Sequence, residues 1–98
     1  MNDINNTEKK AILLPGISFF DKNYARSFSG NDRKAISAFK EFEAQDKLRR
    51  LRSELLLVKD GKIADTSCDN IIGKNRASKH GSYEHWAELM LIWLAAKT

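Results

Sequence analysis

Residues 31–58 decide the fold class, and they read NDRKAISAFKEFEAQDKLRRLRSELLLV. At 100° per residue the apolar side chains of this stretch form two stripes that lie almost opposite each other. The first stripe is Ala35, Ile36, Ala38, Phe39 and Phe42, and the second is Leu48, Leu51, Leu55 and Val58. Because one straight helix cannot turn both stripes toward a single core, the pattern predicts two helices with a break near residues 44–46. The alternative is one unbroken helix sandwiched between two partners.

Capping signals bound these two helices. Asn31 or Asp32 can cap the first helix and Asp46 the second, because short polar side chains accept bonds from the first free amides of a helix. Gly61 supplies the left-handed conformation that ends the second helix at about Val58. A β-hairpin, with strands at 55–58 and 62–64, is the rival interpretation of the Asp-Gly turn.

Two further helices follow. Thr66 and Asp69 have the spacing of a capping box, which predicts a short helix that ends at Gly73. The next segment, 74–81, is polar and basic and is expected to be a loop. Ser82 then caps a last helix over 83–97. Its tryptophans, Trp86 and Trp93, share one face with other apolar residues, so both are predicted to lie in the core.

The N-terminal third has no clean period. Residues 1–8 are polar, and we expect them to be frayed or disordered. Residues 11–28 carry several aromatic side chains, which predicts an irregular strap packed on the helices. The expected fold is therefore mainly α, a small bundle of three to four helices with an irregular N-terminal aromatic strap, in one domain over residues 1–98.

Length and composition exclude several classes of protein, including multidomain and membrane-spanning ones. A chain of 98 residues makes one domain that can bury a modest core without a staple. Cys68 is the single cysteine, which fits a reducing compartment. The longest apolar run, 89–96, is far shorter than the roughly 20 residues that span a bilayer. We therefore expect a soluble cytoplasmic protein that does not contact a membrane.

The chain is basic, with a net charge of +4, and the excess lies in the middle. Residues 31–62 hold nine Lys and Arg against six acids, and the densest cluster is Lys47, Arg49, Arg50 and Arg52. Such a helix face can neutralise phosphates along a nucleic-acid backbone. No aromatic residue interleaves with the cluster, which disfavours stacking on single strands, and no helix-turn-helix spacing is present. The ordinary alternative is a solvated helix face.

Few acidic residues lie at the helical spacing, three or four positions later, that would let them pair with the basic cluster. Glu54 lies four residues after Arg50 and can pair with it, whereas Arg49 has no acidic residue three or four positions later. We therefore expect Arg49 to have no local counter-charge and to be free to meet an anionic partner.

A second basic segment precedes the last helix. Lys74, Arg76, Lys79 and Ser82 surround a helix N-terminus, where free amides can bind a phosphate or carboxylate. The glycine spacing matches neither a P-loop nor a dinucleotide fingerprint. The alternative is a mobile, solvated loop.

The last helix offers a third surface. Leu91 and Ile92 lie away from its main apolar face, so they form a partner site or homodimer seam if exposed and core if the strap covers them. Cys68, His80 and His85 are too few and too irregularly spaced for structural zinc, and no nucleophile motif accompanies them. We expect no metal, no cofactor and no catalytic residue.

The sequence therefore predicts a non-catalytic binding module that acts through a basic helical face. Nucleic acid is the most concrete partner, and an acidic protein surface is the other. The alternative function is a protein–protein interaction module, such as a homo-oligomer, adaptor or inhibitor, that uses the apolar C-terminal helix.

Overall fold

A computed structural model describes residues 13–29 and 31–96, so the fraying expected of residues 1–8 lies outside the described residues. The α-helices in this part of the chain are α1 (Pro15–Phe20), α2 (Asp32–Phe42), α3 (Gln45–Lys59), α4 (Asp65–Ile71), α5 (Lys74–His80) and α6 (Tyr83–Ala95). The described residues form no β-strand, so the mainly α class is confirmed and the hairpin alternative is wrong. The expected number of three to four helices was too low. None of the described helices is long and apolar enough to cross a bilayer.

The predicted break between the two stripes is confirmed. Glu43 and Ala44 are extended, with ψ of 154° and 159°, and they separate α2 from α3. Asn31 caps α2 by accepting the Lys34 amide at 3.1 Å. Asp46 does not cap α3, because the helix begins one residue earlier at Gln45 and places Asp46 in its first turn. Gly61 adopts the left-handed conformation, with φ of 70°, just after α3 ends.

The described part of the N-terminal strap is helical over residues 15–28 rather than irregular. After α1 the chain continues as a π-helical turn (Asp21–Ala25) and a 3₁₀ turn (Arg26–Phe28). The number of residues per turn changes twice, so the apolar residues follow no single period although the backbone is helical. Packing of the aromatics on the helices is confirmed. Phe20 and Tyr24 each meet the Phe39 ring edge-on, with centroid distances of 5.5 and 5.1 Å.

The predicted basic loop before the last helix is wrong, because Lys74–His80 form α5. Two glycines with positive φ, Gly73 and Gly81, bound this short helix. The capping box at Thr66 is also wrong. Ala64 precedes α4 and no side chain caps that helix, while the Asp69 carboxylate accepts a hydrogen bond from the Tyr83 hydroxyl instead.

Helix α6 lies at the centre of the fold, between α2 and α3. Trp86 is fully buried and Trp93 is half-buried, so the core position predicted for both holds in full only for Trp86. Phe42, expected in the first stripe, is 72% exposed because α2 ends there and the chain turns away. The buried hydrophobic residues are Leu14, Ile17, Phe20, Ala25, Ala35, Ile36, Phe39, Leu51, Leu55, Val58, Ile63, Cys68, Ile72, Trp86, Ala87 and Met90.

Candidate functional site

Helix α3 carries the predicted basic cluster on its outer face. Its inner face buries the apolar residues Leu51, Leu55 and Val58 against the core. Its outer face leaves Lys47, Arg49, Arg50 and Arg52 exposed. The helix is therefore amphipathic, and all four cations are exposed, including Lys47 and Arg52, which helical angles put beside the apolar stripe.

Glu54 does not pair with Arg50 as the helical spacing suggested. Its side chain turns inward, is 7% exposed, and accepts the backbone amides of Gly16 and Ile17 at 2.8 Å each. These amides belong to the first turn of α1, where no carbonyl of the helix can reach them. A Cβ on Gly16 would lie 3.0 Å from the Glu54 carboxylate, which explains why a glycine stands there.

The structure divides the four cations between the two flanks of α3. Lys47 and Arg50 line a depression of about 270 Å³ between α3 and α1, with Phe19 on its floor. Lys47 forms an ion pair with Glu43 at 3.7 Å and lies 3.9 Å from the centre of the Phe19 ring.

Arg49 and Arg52 line the opposite flank of α3, which faces α6. Among the described residues Arg49, Arg50 and Arg52 form no ion pair. Asp46 lines a shallow depression with Arg49 and Arg50, so a carboxylate does lie near Arg49, one turn earlier in the helix. The expectation that Arg49 lacks a local counter-charge rested on the residues three and four positions after it. Asp46 lies three positions before Arg49, so that spacing did not include it.

A groove of about 400 Å³ runs beside the contact between α3 and α6 and is lined by residues of both helices. Its apolar lining includes Leu48, Leu91 and Leu94, and its basic rim includes Arg49 and Arg52. No carboxylate is among the described residues that line it. The structure thus places Leu91 of α6 in the same groove as Arg49 and Arg52 of α3. Helical spacing within one segment cannot reveal this, because the residues belong to two helices.

Leu91 and Ile92 do not act together. Leu91 is half-buried in the groove, whereas Ile92 is 55% exposed and does not line it. The N-terminal segment packs on α2 and α3.

Arg76 and Ser82 of the predicted anion site are engaged within the fold. Arg76 lies 2.7 Å from an Asp21 oxygen and 3.1 Å from Oδ1 of Asp32. Both contacts are ion pairs. Ser82 caps α6, as predicted, by accepting the His85 amide at 3.0 Å. Lys74 lines a depression with Arg76, whereas Lys79 lines a different one and Ser82 neither, so the structure does not bring the four side chains into one depression.

The partner of Arg76, Asp32, is a residue that the sequence assigned only to capping. It is 6% exposed, and its second oxygen accepts the indole N–H of the buried Trp86 at 3.0 Å. The guanidinium of Arg76 also lies 5.7 Å from the centre of the Trp86 ring. Asp32, Arg76 and Trp86 therefore tie α2, α5 and α6 together, with Asp21 as a second counter-ion.

Two tyrosines donate to carboxylates. Tyr24 donates to Glu43 at 2.5 Å, and burial together with this bond raises the pKa of Tyr24 to about 12. Burial and the bond to Asp69 likewise raise the pKa of Tyr83 well above its usual value. Both tyrosines are therefore neutral hydrogen-bond donors at neutral pH.

Metal-binding groups do not converge in the described residues. No cluster of three or more His, Cys, Asp or Glu side chains there could hold a metal ion. The Nδ1 atom of His85 is hydrogen-bonded to the His80 carbonyl at 2.5 Å, which joins the end of α5 to the start of α6.

Comparison of the chain with protein-family models, with curated proteins and with solved structures finds no match in any of the three. We therefore infer function from the surface of this chain.

Proposed function

We propose that this protein is a non-catalytic binding module that holds nucleic acid through the outer face of α3. One observation carries the proposal: α3 exposes five cations and a single carboxylate, Asp46. The cations are Lys47, Arg49, Arg50, Arg52 and Lys59. Such a face favours the binding of a polyanion, because each phosphate that a cation neutralises releases condensed counterions into solution.

The arginines are available to an external anion. Arg49, Arg50 and Arg52 form no ion pair with described residues, so binding a phosphate breaks no internal ion pair of their guanidinium groups. The one paired cation of the cluster, Lys47, is exposed, and exposed ion pairs contribute only about 0–1 kcal/mol. Exchanging Glu43 for a phosphate therefore costs little.

The division of the cations between two flanks favours a duplex over a single strand. A helix that lies in the major groove has a phosphate backbone on each side. Arg49 and Arg52 on one flank and Lys47 and Arg50 on the other match that arrangement. The cluster itself contains no aromatic side chain on which unpaired bases can stack.

Binding of a labelled random duplex across a salt series tests this proposal. The variant R49Q/R50Q/R52Q should fold normally and bind all sequences more weakly. It should also flatten the salt dependence by roughly one unit for each phosphate that is no longer neutralised. The matched control K62Q/K74Q/K79Q removes the same charge from other exposed positions. Equal weakening by both triple variants, or no binding by the wild-type protein at low salt, would contradict the proposal.

A second candidate function is a protein–protein interaction module that uses α6. It is favoured by the half-buried Leu91 in the groove between α3 and α6 and by the exposed side chain of Ile92. The mass in solution tests one form of this function, because homo-oligomers through α6 should dissociate when Ile92 is changed to Asp. A monomeric wild-type protein would exclude the homo-oligomer and leave an external protein as the partner.

A further inference from the structure

The groove between α3 and α6 has the composition of a peptide-binding site. Its volume of about 400 Å³ lies within the range of roughly 300–1,000 Å³ that is typical of ligand sites. Leu48 from α3 and Leu91 and Leu94 from α6 give it an apolar lining that is only partly buried by the fold itself.

The rim of this groove has one sign of charge. Arg49 and Arg52 stand along its α3 side, are exposed, and form no ion pair with described residues. Lys40 also lines the groove, but its ammonium donates to the carbonyls of Trp93 and Ala96 and so closes the C-terminal end of α6. Two arginines are therefore left to meet an anionic ligand, and no carboxylate of the described lining repels one.

We propose that this groove binds an acidic amphipathic helix of a partner protein. Apolar side chains of such a helix would enter between α3 and α6, at the i, i+3, i+4 and i+7 spacing of helix-in-groove recognition, and its carboxylates would pair with Arg49 and Arg52. Arginine suits this role because its planar group can hold a carboxylate with two parallel hydrogen bonds. The inference rests on the second candidate function, that α6 contacts protein, and because nucleic acid would use the same Arg49 and Arg52, the two ligands would compete for this flank of α3.

Charge complementarity selects this occupant. A basic helix would bring like charges against Arg49 and Arg52, which costs affinity. A nucleic acid would use the two arginines but would leave the leucine-lined groove unfilled. An acidic helix with an apolar stripe satisfies both the rim and the lining.

A labelled synthetic helix of about four turns, with leucines at the spacing above and glutamates elsewhere, is a direct probe. Fluorescence anisotropy should show saturable binding to the full chain. The same peptide with lysine in place of glutamate should bind at least tenfold more weakly, and so should a scrambled sequence of the same composition.

Variants then locate the peptide. R49E/R52E should weaken binding at least tenfold, and L91A should weaken it severalfold, whereas K74E/K79E makes the same charge change outside the groove and should have little effect. Urea unfolding of each variant shows that the fold is retained. Absence of binding, equal binding of the scrambled peptide, or equal weakening by K74E/K79E would overturn the inference. Failed peptide binding by a chain that self-associates through Ile92 would overturn the groove inference and leave the second candidate function standing.

Discussion

Glu54 accepts a hydrogen bond from the backbone amide of Gly16 at 2.8 Å, across 38 positions of sequence. Its other oxygen accepts the Ile17 amide, so one carboxylate satisfies two of the amides at the start of α1. The negative charge also lies at the positive end of that helix. Leu14, just before α1, is buried with a left-handed φ of 47°, so the carboxylate holds a chain segment that is itself strained.

The first prediction follows from the hydrogen bonds of Glu54. Glu54→Gln keeps the shape of the side chain but replaces one accepting oxygen with an NH₂ group that faces a backbone N–H. Hydrogen bonds to charged groups are worth about 1.5–3 kcal/mol, and we expect the free energy of unfolding to fall by that amount. Urea denaturation measures it. Glu88→Gln, on an exposed position of α6, is the control and should change stability by less than about 0.5 kcal/mol. Similar values for the two variants would contradict the assigned role of Glu54.

The second prediction concerns the buried ion pair of Arg76. Arg76→Met removes the guanidinium and leaves the carboxylate of Asp32, which is 6% exposed, without its counter-charge from α5. Breaking a buried pair by removing one partner costs about 3–5 kcal/mol. The double variant D32L/R76M should cost less than the sum of the two single changes, because the carboxylate that R76M would leave without this counter-charge is then absent as well.

A double-mutant cycle on the free energy of unfolding measures this coupling. Lys79→Met in the same short helix is the control, because Lys79 is exposed and has no ion pair among the described residues. Strict additivity of the D32L and R76M effects would show that the two side chains do not stabilise each other.

The third prediction is a pH dependence. The folded state raises the pKa of Tyr24 from 10 to about 12, chiefly by burial and then by the bond to Glu43. When a group has a higher pKa in the folded state than in the unfolded state, its contribution to stability is complete at pH values below the unfolded-state pKa. That contribution is lost as the pH rises through the folded-state pKa. The contribution of Tyr24 should therefore be full below pH 10 and should disappear between about pH 10 and 12.

Comparison of the wild-type protein with Tyr24→Phe isolates this effect, because every other titrating group is common to both. We expect the wild-type protein to be more stable in urea at pH 8 by about 0.5–1.5 kcal/mol, the usual worth of one hydrogen bond. The difference should shrink as the pH rises above 10. A constant difference across this range would show that the hydroxyl does not titrate as its bond to Glu43 requires.

Local signals predicted the parts of the fold that depend on neighbouring residues. The opposed stripes of α2 and α3 predicted a break near residues 44–46, and the structure has it at Glu43 and Ala44. The caps at Asn31 and Ser82 are residues whose side chains bond within one turn. Helix α5 was missed because six of its seven residues are polar and none is buried, so the segment gives no periodic signal. Its position depends instead on Arg76, whose partners come from elsewhere in the chain.

In the candidate site, too, the sequence predicted only the features that depend on neighbouring residues. Helical angles alone put Arg49 and Arg50 on the polar face of α3 and Arg52 beside its apolar stripe. They could not show that Glu54 turns inward to α1, nor that Leu91 joins Arg49 across a groove, since both facts depend on how separate helices pack. A glutamate among leucines at 54–57 was the available hint that this carboxylate is buried.

The last prediction tests whether both flanks of α3 meet phosphates. R49Q/R52Q neutralises the flank toward α6, and K47Q/R50Q neutralises the flank toward α1. If a duplex backbone lies on each side, each double variant should flatten the salt dependence of binding by about two units, and the quadruple variant by about four. Titrations of labelled duplex at several salt concentrations measure these slopes, with K74Q/K79Q as the control of equal charge. Because the four side chains are exposed, neutralising them should leave the urea midpoint nearly unchanged, so weaker binding cannot be attributed to unfolding. An effect confined to R49Q/R52Q would rule out the two-sided arrangement. If a phosphate backbone lies along each flank of α3, neutralising either flank must remove phosphate contacts and weaken binding.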